Sequence, residues 1–301
     1  MLTDAVHTYL AVRRSVGFAL RWQGTALKSF AAFSQERGQH YVSAAVAHEW
    51  ARCAHQRAQR ARRLGIVIRF ARYLHAEDRR HEVPSAIFGA EKSPRPTPYI
   101  FTAEQIRQLV HAASKAGAPT LRRATYSTFF ALLACTGLRV SEAIRLRFAD
   151  ITADGLLIRE TKFRKSRLVP LHPSAHEGLE RYLQQRRAYA PADDHVFVSL
   201  RRKPLLGRDV ITAFRKAVKQ IGLPHRSGAR PTAKSLRHTF ATRALQMCPD
   251  GRDAVTRHMV ALSTYLGHKS VAETYWYLEA VPDLMQDIAD RAEALATGGR
   301  P

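Results

Sequence analysis

A segment with three prolines at alternate positions divides this chain of 301 residues. It reads Glu91-Lys-Ser-Pro94-Arg-Pro96-Thr-Pro98. Proline lacks the backbone N–H that a helix needs and pushes the preceding residue toward extended backbone, so a helix cannot run through this segment. We therefore predict two domains, residues 1–90 and 99–301, joined by a linker at residues 91–98.

Residues 1–90 carry apolar side chains at helical spacing in four places, which predicts an all-helical region. Gly38 is the predicted C-cap of the second helix. In chain order the apolar positions are Leu2, Val6, Tyr9 and Leu10, then Leu27, Phe30, Ala31 and Phe33, then Val46 and Trp50, then Val67, Phe70, Ala71 and Leu74.

A second face of the fourth helix is basic. Arg62, Arg69 and Arg72 are seven and three residues apart, so they lie together and away from the apolar side chains. We predict that this face binds DNA phosphates; an ordinary solvated basic face is the alternative.

The charge of the whole chain favours a polyanionic partner. Lys and Arg number 48 against 25 Asp and Glu, a net charge of +23. A protein with such an excess of basic residues usually binds nucleic acid. The alternative explanations are that the basic surface maintains solubility or binds an acidic protein partner. Hydrophobic residues make up 46% of the chain, enough to form packed cores.

Several classes of protein are disfavoured. Cys53, Cys135 and Cys248 stand alone, which argues against a structural zinc site and fits a reducing cytoplasm. The chain shows neither a P-loop nor a G-x-G-x-x-G motif, so no nucleotide cofactor is predicted. The most apolar stretch, residues 129–135, is too short to span a bilayer. No cofactor, metal or membrane partner is expected.

The second domain is predicted to be mainly helical with a small antiparallel sheet. Thr102-Ala-Glu-Gln105 is typical of a capping box that opens a helix. Residues 126–133 predict a buried helix ending near Gly137. Residues 155–171 predict a strand, a basic turn and a second strand.

Four short pieces of this domain, far apart in sequence, form a set. They are Thr136-Gly-Leu-Arg-Val-Ser-Glu142, Lys162 in the basic turn, Lys234-Ser-Leu-Arg237-His238, and Leu266-Gly-His268 with Tyr277 nine residues later. In this order they resemble the tyrosine recombinase (phage integrase) family, which cuts and rejoins DNA through a tyrosine. The resemblance implies a helical, SAM-like core-binding domain at residues 1–90 and a catalytic domain at residues 99–301.

The resemblance also assigns roles within the catalytic domain. Arg139 and Arg237 would bind the scissile phosphate, for which the planar guanidinium fork is suited. Glu142 would help fix the fold around Arg139. His268 would hydrogen-bond to the phosphate, and Tyr277 would be the nucleophile.

Two basic pieces of the set need separate mention. Lys162 matches the lysine of the family's hairpin that donates a proton to the leaving 5′ oxygen, while its neighbours Arg164 and Lys165 are predicted to contact DNA. Lys234 stands where the family usually has histidine; it can donate to a phosphate oxygen but does not titrate near neutral pH without a large shift. His238 is expected to be structural.

The implied reaction is site-specific recombination of duplex DNA through a 3′-phosphotyrosyl intermediate, as in integration, excision, resolution or transposition. The resemblance implies a tetramer on two DNA sites, accessory recombinases as further partners, and action in a bacterial cytoplasm at the nucleoid. Residues 282–296 could dock into a neighbouring subunit or pack on their own domain. A DNA-binding or architectural partner that has lost catalysis is the alternative, favoured only by Lys234.

Overall fold

The computed structural model describes residues 1–89, 97–116, 120–159, 166–189, 193–223, 230–248, 251–279 and 293. The chain forms two compact units, Met1–Arg95 and Pro96–Pro301. The functions assigned to the two regions from sequence stay predictions. The described part of the chain has no helix long and apolar enough to cross a membrane.

Residues 1–89, the described part of the first unit, contain four helices, as the apolar spacing predicts. They are α1 (Leu2–Ser15), α2 (Arg21–Gln35), α3 (Ala44–Arg52) and α4 (Arg57–Glu77). Phe30 and Trp50 meet edge to face with 5.5 Å between ring centroids, and Tyr9 meets Phe70 at 5.3 Å, so aromatic pairs join the helices in one core.

The predicted C-cap of α2 is wrong. The helix ends at Gln35 with Glu36 as its C-cap, and Gly38 lies two residues further on with φ +68°. After the helix, the N–H groups of Arg37 and Gly38 donate to the carbonyls of Ser34 and Gln35. These bonds between residues three apart tighten the chain before it reaches the left-handed position that Gly38 occupies.

The predicted basic face of α4 is solvent-exposed at all three arginines, Arg62, Arg69 and Arg72. The guanidinium of Arg62 lies 4.0 Å from the ring centroid of Trp22. The side chains of Val67 and Phe70 on the same helix are buried in the core, so the apolar and basic faces are separate.

The described residues of the second unit are mainly helical with one small sheet, which confirms the predicted fold class. Its helices are α5 (Ala103–Lys115), α6 (Leu121–Thr136), α7 (Val140–Arg145), α8 (Pro173–Tyr189), α9 (Gly207–Gln220), α10 (Ala233–Gln246), α11 (Arg252–Leu266) and α12 (Ala272–Glu279). The predicted capping box opens α5, where Gln105 N–H donates to Thr102 Oγ1 over 3.1 Å and the Gln105 side chain accepts from Thr102 N–H.

The sheet has three antiparallel strands in the order β1 (Ile151–Thr152), β2 (Gly155–Ile158) and β3 (Arg167–Val169). The predicted pair of strands is β2 and β3, in which Ile158 lies opposite Arg167. The short β1 was not predicted because two residues are too few to show an alternating pattern.

Two apolar clusters support this unit. The larger packs α5, α6, α8 and α9 together and includes Phe129, Phe130 and Phe214. The smaller lies among α10, α11 and α12 and contains Tyr277 itself. The helix that carries the predicted nucleophile is therefore fixed by the packing of the nucleophile's own ring.

Candidate active site

Two helices with glycine C-caps bring the predicted site together. Helix α6 ends at Thr136 with Gly137 as its C-cap at φ +61°, and α11 ends at Leu266 with Gly267 as its C-cap at φ +65°. A Cβ at Gly137 would lie 2.5 Å from the Phe240 ring, and one at Gly267 would lie 2.7 Å from Nη1 of Arg167. Glycine is needed at both places for the backbone conformation and for the close approach.

Arg139 is the N-cap residue of α7, directly after the Gly137 turn. Its Nη1 donates to Oε1 of Glu142 over 2.7 Å, its backbone N–H donates to Oε2 over 2.9 Å, and its Nη2 donates to the carbonyl of Gly267 over 2.9 Å. The side chain remains 31% exposed. Part of the guanidinium is thus anchored while another part faces solvent.

Glu142 is shared between two arginines. Arg167 Nη2 donates to Oε2 over 2.9 Å and Arg167 Nη1 donates to Oε1 over 3.2 Å. Burial opposes ionisation of this carboxyl, but the hydrogen bonds from Arg167 and Arg139 outweigh it and lower the pKa of Glu142 to about 2. The expected structural role of Glu142 therefore involves a second arginine that the motifs did not single out.

Arg237 is buried at the centre of the site, with 4% of its surface exposed. Its Nη1 donates to the carbonyl of Gly137 over 2.8 Å, and its Nη2 donates to the carbonyl of Leu266 over 2.6 Å. Burial, helped by the charge of Arg139, lowers the pKa of Arg237 to about 10, so the group stays charged at neutral pH.

Tyr277 lies against this arginine. Its phenol is 4% exposed, and burial raises its pKa, while the charge of Arg237 and a hydrogen bond from Arg237 act in the opposite direction. Tyr275, two residues earlier on α12, is 52% exposed. The structure therefore brings Tyr277, and not Tyr275, to the arginines.

His268 lies beside the Tyr277 ring with 6.1 Å between centroids and 12° between planes. Its Nδ1 is hydrogen-bonded to Oγ1 of Thr274 over 2.7 Å. Burial, with the charge of Arg237 second, lowers the pKa of His268 to about 4. The ring is neutral at pH 7, with one nitrogen committed to Thr274.

Helix α10 places Lys234 on its exposed side, one turn before the buried Arg237. His238 is 7% exposed and packs on the rings of Trp276 and Tyr277, with centroid distances of 5.2 and 5.4 Å. Burial and the charge of Lys234 lower the pKa of His238 to about 4. Among the described residues, its Nδ1 has no hydrogen-bond partner.

Lys162, Arg164 and Lys165 lie outside the described residues. Their predicted roles stay predictions. The strands on either side of them are described, and Arg167 at the start of β3 contacts Glu142.

Sequence reasoning missed two contributors to the site, Arg167 and Thr274. Arg167 is one of several cations in the basic hairpin, and its alternation with the buried Val169 places both on the inward face of β3. Thr274 is fully buried and its hydroxyl is hydrogen-bonded to His268; its position three residues before Tyr277 is the signal in the sequence that could have found it.

Carboxylate and imidazole groups that could approach a metal ion come together once within the described ranges, at Asp193, Asp194 and His195. Both carboxylates already pair with arginines, Asp194 with Arg147 and Asp193 with Arg186. The grouping is therefore compensated by protein charges.

Comparison of the sequence with models of known protein families agrees with the geometry of this site. Residues 100–282 match the model of the phage integrase family. The chain belongs to this family, the tyrosine recombinases. The integrase/recombinase y4rB of Sinorhizobium fredii (strain NBRC 101917 / NGR234) is 37% identical over 306 residues, covering 96% of each chain.

Further similarities agree with this membership. The tyrosine recombinase XerD of Brucella suis biovar 1 (strain 1330) is 30% identical over 249 residues, covering 78% of this chain and 76% of that protein. Among solved structures, the XerH site-specific recombinase bound to a palindromic difH substrate, in a post-cleavage complex, has a TM-score of 0.66 at 17% identity. The similarity covers 90% of this chain and 79% of the XerH chain, and it shows that this chain has the same fold as XerH.

Proposed function

We propose that this tyrosine recombinase cuts and rejoins duplex DNA at specific sites through a covalent 3′-phosphotyrosyl bond on Tyr277. The observation that carries the proposal is the contact of Tyr277 with the buried Arg237 and with the ring of His268. Arg139 is joined to the same group through the carbonyl of Gly267, the residue before His268.

The charges of these side chains suit attack on a phosphodiester. As the Tyr277 oxygen bonds to phosphorus, negative charge grows on the non-bridging phosphate oxygens, and Arg139 and Arg237 offset it. The phenol gives its proton to water, the bond between phosphorus and the 5′ oxygen breaks, and Lys162 supplies the proton that the leaving 5′ oxygen takes up. The phosphotyrosyl bond keeps the energy of the broken bond, so rejoining needs only a 5′ hydroxyl.

Lys234 completes the phosphate site in place of the family's usual histidine. It lies on the same helix as Arg237, one turn earlier. An ammonium group can donate to a phosphate oxygen at any pH near neutral because its ordinary pKa is about 10.4.

The substrate is duplex DNA carrying a recombination site, and the active unit is a tetramer on two such sites. Residues 1–90 form the core-binding domain and residues 99–301 the catalytic domain. The exposed Arg62, Arg69 and Arg72 of the first domain contact phosphates, together with Arg164 and Lys165 of the second. The same strand chemistry serves integration, excision, resolution and transposition.

The test is trapping of the covalent intermediate. A duplex bound by the protein is selected from a random library, footprinted and nicked near the protected centre, so that cleavage releases a short fragment and cannot reverse. We expect a denaturant-resistant protein–DNA adduct, and mass spectrometry of the digested adduct should place the nucleotide on Tyr277. Tight, specific binding without any adduct would instead support a DNA-binding partner that has lost catalysis.

A further inference from the structure

Three consecutive carbonyl oxygens at the end of α11 each accept a hydrogen bond from a different arginine. Arg167 Nε donates to Tyr265 over 2.6 Å, Arg237 Nη2 to Leu266 over 2.6 Å, and Arg139 Nη2 to Gly267 over 2.9 Å. The last carbonyls of a helix lack partners within the helix and carry partial negative charge, so they suit guanidinium donors. His268 follows this turn directly.

Arg167 differs from the other two arginines in what its remaining donors do. Its Nη1 and Nη2 both donate to the carboxylate of Glu142, so one planar fork holds Glu142 on one side and the Tyr265 carbonyl on the other. The side chain is 9% exposed, and its guanidinium packs against the backbone of Gly267. Arg167 is therefore directed at the protein and not at a ligand.

The two groups that Arg167 holds each lead to a predicted catalytic side chain. Glu142 accepts hydrogen bonds from the side chain and the backbone N–H of Arg139, and the turn after Tyr265 carries His268. A buried carboxylate that loses one of two cationic partners is left less compensated, and in a low-dielectric interior it attracts the remaining cation strongly. Without Arg167, Glu142 would retain Arg139 as its only described arginine partner and would compete with the phosphate for it.

We propose that Arg167 is a positioning residue of the cleavage reaction. It holds the Glu142 carboxylate and the Tyr265 carbonyl in fixed positions through one guanidinium, and so orients the Arg139 guanidinium and the backbone turn that carries His268 toward the phosphate. This inference rests on the proposed cleavage function. It predicts that changes at Arg167 slow covalent bond formation without weakening DNA binding.

The main variant is Arg167→Lys. Lysine keeps the positive charge beside Glu142, so the protein should fold, but one ammonium cannot reproduce a planar fork that binds two groups at fixed angles. At saturating protein, with thermal melting showing that the variant is folded at the assay temperature, the rate of adduct formation should fall roughly 10- to 100-fold, as expected for losing a hydrogen bond to a charged group. The DNA dissociation constant should stay within about 2-fold.

A double-mutant cycle separates positioning from general stability. Arg167→Met and Glu142→Gln should each slow adduct formation, and the double variant should be close to the slower single variant because both act through one link to Arg139. Arg107→Met is the matched control, since Arg107 pairs with Glu104 on the exposed side of α5 and should leave the rate unchanged.

The outcomes are distinct. If the parent protein forms no adduct, the proposed function fails and the cycle has no parental rate to compare. If the parent forms the adduct and folded Arg167→Lys matches its rate, Arg167 does not position the site. Effects of Arg167→Met and Glu142→Gln that multiply as independent changes would also overturn the proposal.

Discussion

The imidazole of His268 lies almost parallel to the phenol ring of Tyr277, with 12° between the planes. Thr274, one turn before Tyr277 on α12, binds Nδ1 of the same imidazole. One helical turn therefore sets both the orientation of His268 and the position of the Tyr277 hydroxyl. A shift of α12 would move the two groups together.

The first prediction concerns the nucleophile. Tyr277→Phe removes one hydroxyl while keeping the ring that packs on His268 and His238, so DNA affinity and thermal stability should change little. Formation of the covalent adduct on a nicked duplex should be abolished. Tyr275→Phe is the control on the exposed side of α12 and should form the adduct at the parental rate. An adduct that persists in Tyr277→Phe and disappears in Tyr275→Phe would assign the nucleophile to Tyr275.

The second prediction concerns acid stability. The pKa of Glu142 is about 2 in the folded protein, below the ordinary value of about 4.3, so the unfolded chain binds more protons as pH falls. Ionised Glu142 therefore contributes stability that is present above about pH 4.3 and is lost as pH falls toward 2. Chemical unfolding of the parent and of Glu142→Gln between pH 3 and 7 measures this contribution. The difference between their free energies of unfolding should become smaller toward pH 3. A difference in the free energy of unfolding that stays constant over this range would show that Glu142 is not held ionised by its arginines.

The third prediction concerns the Gly137 turn. Gly137→Ala should cost about 1–2 kcal/mol for the left-handed backbone and about 1–3 kcal/mol more for the clash with Phe240. Gly222→Ala is the matched control, because Gly222 has φ +59° and open space around its Cα. Urea unfolding of both variants isolates the steric contribution. Equal losses of stability would mean that Phe240 moves aside at little cost.

The sequence predicts the side-chain part of this site better than the backbone part. The spacing of Arg139 and Glu142, and that of Lys234 and Arg237, follows from helical geometry. The Tyr277 register came from resemblance to the family, and the structure places that ring against Arg237.

The carbonyl contacts could not be predicted in this way. Arg139 reaches a carbonyl 128 residues away, and Arg167 reaches one 98 residues away. Every residue type offers the same carbonyl oxygen, so a sequence carries no signal for which one an arginine will bind. The prediction of Gly38 as the C-cap of α2 is wrong for a related reason. The number of residues in the turn between α2 and Gly38 is set by backbone hydrogen bonds, which every residue type can form.

The fourth prediction concerns salt. With a net charge of +23 and the phosphate contacts proposed for both domains, DNA affinity should fall roughly 10³-fold or more between 50 and 200 mM salt if about six phosphates are neutralised. Replacing Arg62, Arg69 and Arg72 together by glutamine should reduce the slope of log K against log salt by about 0.9 for each arginine that contacts a phosphate. The exposed Arg107→Gln serves as the control. An unchanged slope in the triple variant would remove α4 from the DNA interface.

The fifth prediction concerns Lys234, where the chain departs from the family's usual histidine. If its ammonium donates to the phosphate in the transition state, Lys234→Ala should slow adduct formation by about 10- to 100-fold, the effect of losing one hydrogen bond to a charged group. Binding should change little because one contact among many is lost. Lys234→His should keep substantial activity.

Lys234 also lies close enough to lower the pKa of the buried His238, so its removal could act through that neighbour. Thermal stability measured beside the rate separates the two routes. If Lys234→Ala forms the adduct slowly but melts at the parental temperature, the packing of His238 on Tyr277 is intact, and the loss of rate is assigned to the missing ammonium at the phosphate. Lys115→Ala, at the exposed end of α5, is the matched lysine control. A Lys234→Ala protein that cleaves at the parental rate would return Lys234 to an ordinary solvated position on α10.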